Sequence, residues 1–332
     1  MDVREARNSS RGLARYAEAL SVLLRLNKDF KPDVYVLGFR GHEIYWPVRW
    51  LTRGKPLVFD ALMSPSAALR EENKAGWIGQ ILAPIMRWME GGILRNADLV
   101  LTDTSAHIDL YVEQFKLPRE KLLAIPVGAL ETVHASDQDG QLLLQDVFSV
   151  LFYGSMLPLH GIETIIAAAA SLTDLPIRFD FIGGSPRQAK QLHRLCRQYG
   201  VTQYTYRRWV PLDDLVTQDL PRSDLCLGGP FGGTPQARRV VTSKTSQALA
   251  LGKATVVGAT DADLGFVERE NCLLVEQADP NALAQTLRWA FSHRAVLPQI
   301  GERGRQLYRR RLSVEAIAQQ LCPALRTLQR RD

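Results

Sequence analysis

Gly228-Gly-Pro-Phe-Gly-Gly-Thr-Pro-Gln-Ala-Arg-Arg-Val-Val-Thr-Ser-Lys-Thr-Ser-Gln-Ala-Leu-Ala-Leu-Gly-Lys-Ala-Thr-Val-Val-Gly258 reads as a glycine-rich loop that runs into a short helix, and the helix into an apolar strand. Glycines let backbone N–H groups come close to an anion, and a helix N-terminus adds positive potential. Lys244 stands near the start of that helix. Loop, helix end and ammonium together make a cradle for a diphosphate. A tight connection with no ligand is the better reading of a glycine-rich loop taken alone. Two Gly-Gly pairs, a lysine at the helix start and a strand behind it favour the ligand here.

Outward from this stretch, helix and strand patterns alternate along the whole chain, which predicts an α/β architecture with parallel sheets. In the first half, strands are expected at Asp33–Gly38, Pro56–Asp60, Asp98–Thr102 and Lys121–Pro126. Helices are expected over 12–26, over Trp77–Leu94 with an interruption at Pro84, and from Ser105 to Phe115. The polar stretch between Thr132 and Asp146, short of aromatics, reads as a linker. The second half repeats the alternation with strands at 147–154, Ile177–Gly183, Tyr204–Val210, Asp224–Gly228 and Ala254–Val257. Asp279-Pro280 opens a helix by its cap chemistry, and a last helix covers 314–328. Open sheets of this kind bind ligands beyond the carboxyl ends of their strands, where Gly154, Gly183 and Gly228 fall.

Bulk properties exclude several classes. The chain of 332 residues suits two domains, and 46% hydrophobic with 23% charged residues fits a globular protein. No window holds about eighteen uncharged apolar residues, so no spanning helix is expected. The charged start lacks an apolar signal core, and the separated cysteines Cys196, Cys226, Cys272 and Cys322 read as reduced thiols of a cytoplasmic protein. Basic pairs and triplets, such as Arg207-Arg208, Arg238-Arg239 and Arg309-Arg310-Arg311, read as solvated surface within a net charge of +6. No helix-turn-helix, zinc finger or aromatic RNA-binding motif accompanies them, so nucleic acid is not an expected partner.

The opening stretch resembles the donor-sugar signature of retaining glycosyltransferases of family 4, which have the GT-B fold. The counterparts are Phe231-Gly232, Lys244 and Ala250-Leu251-Gly252-Lys253-Ala254-Thr255-Val256-Val257. A Glu that often holds the nucleotide ribose there is replaced by Gln247, whose amide can still bond a hydroxyl. Gly154-Ser155 through His160-Gly161 resembles the family's first phosphate loop, with His160 where Lys is usual. The imidazole can donate to a phosphate when protonated, and its charge then titrates near neutral pH. An ordinary loop histidine is the equal alternative.

The resemblance implies two Rossmann-like domains facing across a cleft: an acceptor-side domain over 1–132, a linker over 133–146 and a donor domain over 147–310. A C-terminal helix over 311–332 would pack back toward the first domain. It implies transfer from a UDP- or GDP-linked sugar, with retention, to a glycan, a lipid-linked or a small-molecule acceptor. It also implies neither cofactor nor metal, because positive loops and helix ends stabilise the leaving diphosphate. The donor contacts it points to are Gly154, Ser155, His160, Gly232, Gly233, Lys244 and Gln247. The chain enters a helix directly where the family has a first strand and turn, so the N-terminal domain is expected to be incomplete.

Other constellations are weaker. His42, Asp60 and His107 fall at strand ends or loops on the acceptor side, with Asp60 the preferred group for orienting an acceptor hydroxyl and, with Lys244, a catalytic candidate. Asp261-Ala-Asp263 is a literal Asp-x-Asp but is not expected to hold a metal. Trp77, Ile85, Met86, Trp88 and Met89, near Lys74, Arg87 and Arg95, read as the core face of an amphipathic helix; a helix lying peripherally on a membrane is the alternative. A nucleotide-sugar 2-epimerase and a non-catalytic nucleotide-sugar-binding subunit remain open beside the transferase.

Overall fold

In the computed structural model the described residues are 2–38, 40–71, 76–129 and 147–329. The expected linker at 133–146 and Lys74 lie outside them. The chain divides into two compact units. One runs to Thr102 and adds His107–Ile125 and the chain from Gln320 onward; the other holds Asp103–Ala106 and Pro126–Gln319.

The first unit begins with helix α1 (Ala14–Asp29) and strand β1 (Tyr35–Leu37), followed by α2 (Tyr45–Leu51) and β2 (Leu57–Asp60). It continues through α3 (Pro65–Glu71), α4 (Gly76–Asn96), β3 (Leu99–Thr102), α5 (Ser105–Phe115) and β4 (Leu122–Ala124). The four strands form a parallel sheet in the order β1-β2-β3-β4. Parallel sheets are covered on both faces, so their strands are apolar throughout. Leu57 and Phe59 point to one face, where they meet Tyr45, Leu94 and Tyr111. Val58 points to the other, where it meets Leu325 and Leu328 from the end of the chain.

Helix α4 corrects two expectations. It passes through Pro84 without a break; the ring leaves the Gln80 carbonyl without its helical donor, and both residues are exposed. The aromatic stretch is not core: Trp77 is 72% exposed and Trp88 76%, with Ile85 and Met89 also exposed. The inward side carries Gly79, Ala83, Ile93 and Leu94 instead.

The second unit carries β5 (Phe148–Tyr153), α6 (Ile162–Ala170), β6 (Ile177–Ile182), α7 (Pro186–Tyr199) and β7 (Tyr204–Arg207). Short helices α8 (Leu212–Asp214) and α9 (Leu220–Arg222) are joined by a π-helical turn at Leu215–Asp219. There follow β8 (Leu225–Leu227), α10 (Pro235–Arg239), α11 (Ser243–Ala250), β9 (Thr255–Gly258) and β10 (Leu273–Val275). Helices α12 (Pro280–Ser292), α13 (Leu297–Arg311) and α14 (Val314–Gln329) close the chain. The six parallel strands run β10-β9-β8-β5-β6-β7. After β5 the chain builds the sheet in one direction, and from β8 in the other. The switch point therefore lies between β5 and β8, where a doubly wound sheet opens a crevice at its carboxyl edge.

Candidate functional site

The loops that leave β5 and β8 meet at this switch point. Gly161 takes a positive φ of 65° at the start of α6, and a side chain there would collide with the backbone of Phe231 and Gly232. The Gly232 amide donates to the Leu159 carbonyl at 2.9 Å. The Gly154 amide donates to Ile182 at 2.8 Å, as part of the sheet edge. These two N–H groups hold the loops in place, which corrects the expectation that they face a phosphate. Gly233 stands next along the same loop, close to Ala278.

Helix α11 begins with its N-terminus at the same place. Thr242 caps it, accepting from the Thr245 amide, and donates its own hydroxyl to the Gly228 carbonyl at 2.7 Å. The cap thus ties the helix start to the glycine loop. Lys244 is the second helical residue and only 6% exposed. Its Nζ lies 5.7 Å from the centre of the Phe152 ring and 3.1 Å from His160 Nε2. A side chain at Gly154 would come within 3.8 Å of the same nitrogen. Among the described residues no carboxylate pairs with Lys244. Burial alone pushes its ammonium down to about 8.

His160 reads differently in place. Its Nδ1 contacts the Ser155 carbonyl, which can only accept, so Nδ1 carries the proton. Nε2 then presents a lone pair to the Lys244 ammonium. Burial, and next the Lys244 charge, push the imidazole down to about 4. The ring is therefore neutral near pH 7 and positions the ammonium, which corrects the expectation of a protonated donor titrating near neutrality. Ser155 itself is exposed. Gln247 lies three residues beyond Lys244 on the same face of α11, and its buried Nε2 has no partner. Gly154, His160, Lys244 and Gln247 are thus brought together.

The acceptor-side candidates all fall in the first unit. Asp60 ends β2 and accepts the Leu62 amide at 3.1 Å, shaping the loop that follows. His42 packs edge-on against Phe59 with centroids 4.8 Å apart, and burial pushes it down to about 4. His107 is wholly buried, stacked with Tyr111. That is the setting of a core side chain, and it corrects the expectation of a cleft-facing group. Asp261 is held by Arg238 at 3.1 Å, and Arg238 also bonds Glu276.

Comparison with known proteins decides the family. The profile of the glycosyl transferase 4-like domain matches residues 2–128, and that of glycosyl transferases group 1 matches 147–293. The chain belongs to this glycosyltransferase family. The glycosyltransferase finds no match in a search of curated proteins. Its fold is similar to sucrose-phosphate synthase from Thermosynechococcus elongatus, with a TM-score of 0.73 and 19% identity over 97% of this chain and 81% of that one. It is also similar to Anabaena HepE in complex with UDP-glucose, with a TM-score of 0.70 and 16% identity over 96% and 84% of the two chains. Staphylococcus aureus TarM gives a TM-score of 0.68 at 13% identity, over 94% of this chain and 58% of that one. The fold of the glycosyltransferase is GT-B.

One cluster escaped the sequence reading. Glu90, 1% exposed, accepts from Ser64 Oγ at 3.0 Å and from the Ser66 amide at 3.2 Å. Burial raises its carboxyl above the usual range, against those hydrogen bonds and the nearby His107. It fastens the loop after β2 to α4. The signal was a lone acid in the apolar run Trp77–Leu94, but its partners lie more than twenty residues away.

Proposed function

We propose that this glycosyltransferase moves a sugar from a UDP- or GDP-linked donor to a glycan, lipid-linked or small-molecule acceptor, with retention and without a metal or other cofactor. The observation that carries this reading is Lys244: a cation buried at the switch point of a doubly wound sheet, on a helix N-terminus, with no carboxylate beside it among the described residues. A buried charge is costly unless paired, and a diphosphate supplies the counter-charge. Its ammonium would bond the diphosphate and offset the negative charge that develops as the glycosidic bond breaks. The α11 N-terminus adds its dipole on the same side. Neutral His160 holds the ammonium in place, and the free Gln247 amide suits a ribose hydroxyl. HepE, similar in fold, binds UDP-glucose, which supports a uridine donor. Asp60 remains the preferred residue to orient the acceptor hydroxyl.

The test is titration of UDP, GDP and their sugars, with and without EDTA, into the parent and Lys244→Ala, followed by transfer assays. The parent is expected to bind in EDTA. The variant is expected to lose about 10²–10³ in rate and to bind the nucleotide more weakly. Binding that needs a divalent ion refutes metal independence. Unchanged binding by a folded Lys244→Ala refutes the site.

A further inference from the structure

Helix α4 is apolar on two sides. One packs inward; the other presents Trp77, Ile81, Ile85, Trp88 and Met89 to solvent in a single stripe at spacings of three and four. Helix α2 extends that surface. A side chain at Gly92 of α4 would come within 3.7 Å of the Trp46 ring, and Trp50 stands one turn further on. Trp46 and Trp50 are both more than half exposed. Four of the chain's six tryptophans therefore stand on the outer faces of two adjoining helices.

Charge narrows what covers this surface. Across α2 and α4 the only acid is Glu90, which is turned inward. Asp98, just past α4, is held by Arg49 at 2.9 Å. The exposed charges are the cations Arg87 and Arg95, with Arg53 just beyond α2. Large apolar residues with tryptophan, rimmed by arginine and lacking carboxylates, are the composition of a helix lying in the headgroup layer. Among the described residues no helix is long and apolar enough to cross a membrane, so such a surface lies on a bilayer rather than through it.

We propose that the outer face of α4, continued by Trp46 and Trp50 of α2, docks the protein on an anionic phospholipid bilayer. The indole rings enter the interface, and the arginines meet lipid phosphates.

The test is co-sedimentation of the full chain with vesicles of phosphatidylcholine alone or of equimolar phosphatidylcholine and phosphatidylglycerol, at low and high salt, with neither donor nor acceptor present. The parent is expected to sediment with the mixed vesicles, more weakly in high salt. A double Trp77→Ser, Trp88→Ser variant is expected to partition at least about tenfold less. Both residues are exposed, so its melting temperature and nucleotide binding should match the parent's. A parent that stays in the supernatant with both vesicle types overturns the proposal. So does a variant that sediments like the parent, or equal binding to phosphatidylcholine alone. Sedimentation equilibrium covers the remaining outcome: a dimer that the variant dissociates, without vesicle binding, makes the face a self-association surface and overturns the bilayer. No result here bears on Lys244, because no nucleotide sugar is used.

Discussion

Under the proposed function, stability and binding make opposed demands on Lys244. Its ammonium is harder to hold in the folded protein than in the unfolded chain, since burial depresses it from the ordinary lysine value to about 8. That difference corresponds to a cost on the order of 3 kcal/mol at neutral pH. The cost is fully present below pH 8 and fades as pH rises toward the unfolded lysine value, because the unfolded chain then binds more protons than the folded one. Lys244→Met should therefore keep or raise the melting temperature at pH 7 while losing nucleotide binding. A drop of several degrees would make Lys244 a structural partner. Anion binding favours the charged form, so UDP affinity should be flat below pH 8 and weaken above it; calorimetry across pH 6–10 reads this directly, and a flat profile sinks the idea. In His160→Phe the ammonium loses its acceptor. The alkaline limb should then move to lower pH, with KM for the donor rising more than kcat falls. A profile unmoved from the parent's would leave His160 no positioning role. The tight turns at the glycines and the place of Lys244 at a helix start were legible because turn chemistry and helix starts are local. The charge state of His160 was not, since it depends on what buries the ring and which carbonyl Nδ1 finds.

Among the elements, buried parallel strands such as Leu57–Phe59 and Phe148–Phe152 announced themselves as apolar runs. Strand β10 is only three residues long and offered no period. Helix α13 was masked by arginines, and by Gly301 and Gly304, which are buried where the helix packs closely on neighbouring backbone. Helix α4 was found but turned the wrong way: a helix apolar on two sides does not say from its sequence which side faces in. The choice is made by small Gly79 and Ala83 packing inward and by Glu90 bonding the loop after β2. Burial raises the Glu90 carboxyl, so above the ordinary carboxylate value the folded state binds a proton more tightly than the unfolded chain does. Stability from this group is present at acid pH and falls as pH rises through its elevated value. Glu90→Gln, which keeps an acceptor for Ser64 and Ser66, should flatten that fall in pH-dependent denaturant melts. Glu90→Ala should destabilise by about 1–3 kcal/mol, because two buried donors lose their acceptor. A pH profile identical in Glu90→Gln and parent would refute the assignment.

At the scale of the whole molecule, the alternating pattern foretold two α/β halves, and the parallel sheets of four and six strands realise them. The path of the chain between the units is less orderly. The second unit takes in Val127, whose carbonyl accepts Ser246 Oγ at 2.5 Å, and Ala129, which accepts the Tyr308 hydroxyl at 2.5 Å. It gives up Leu321, Leu325 and Leu328, which cover Val58, Leu99 and Leu101 of the first sheet. A fragment of residues 126–319 should thus melt cooperatively and bind UDP. A fragment of 126–332 should aggregate more readily, because its last turns expose leucines that have lost their sheet. Calorimetry and light scattering on the two fragments check this, and equal solubility would count against it.

That returning tail also bears on how such proteins can recombine. A single crossover ahead of residue 147 hands the offspring one parent's first sheet and the other parent's leucines to cover it. The hybrid inherits its closing segment from the half of the gene that does not use it. Successful exchange of the first sheet would then take two crossovers, the second near residue 320, or parents whose tails are interchangeable.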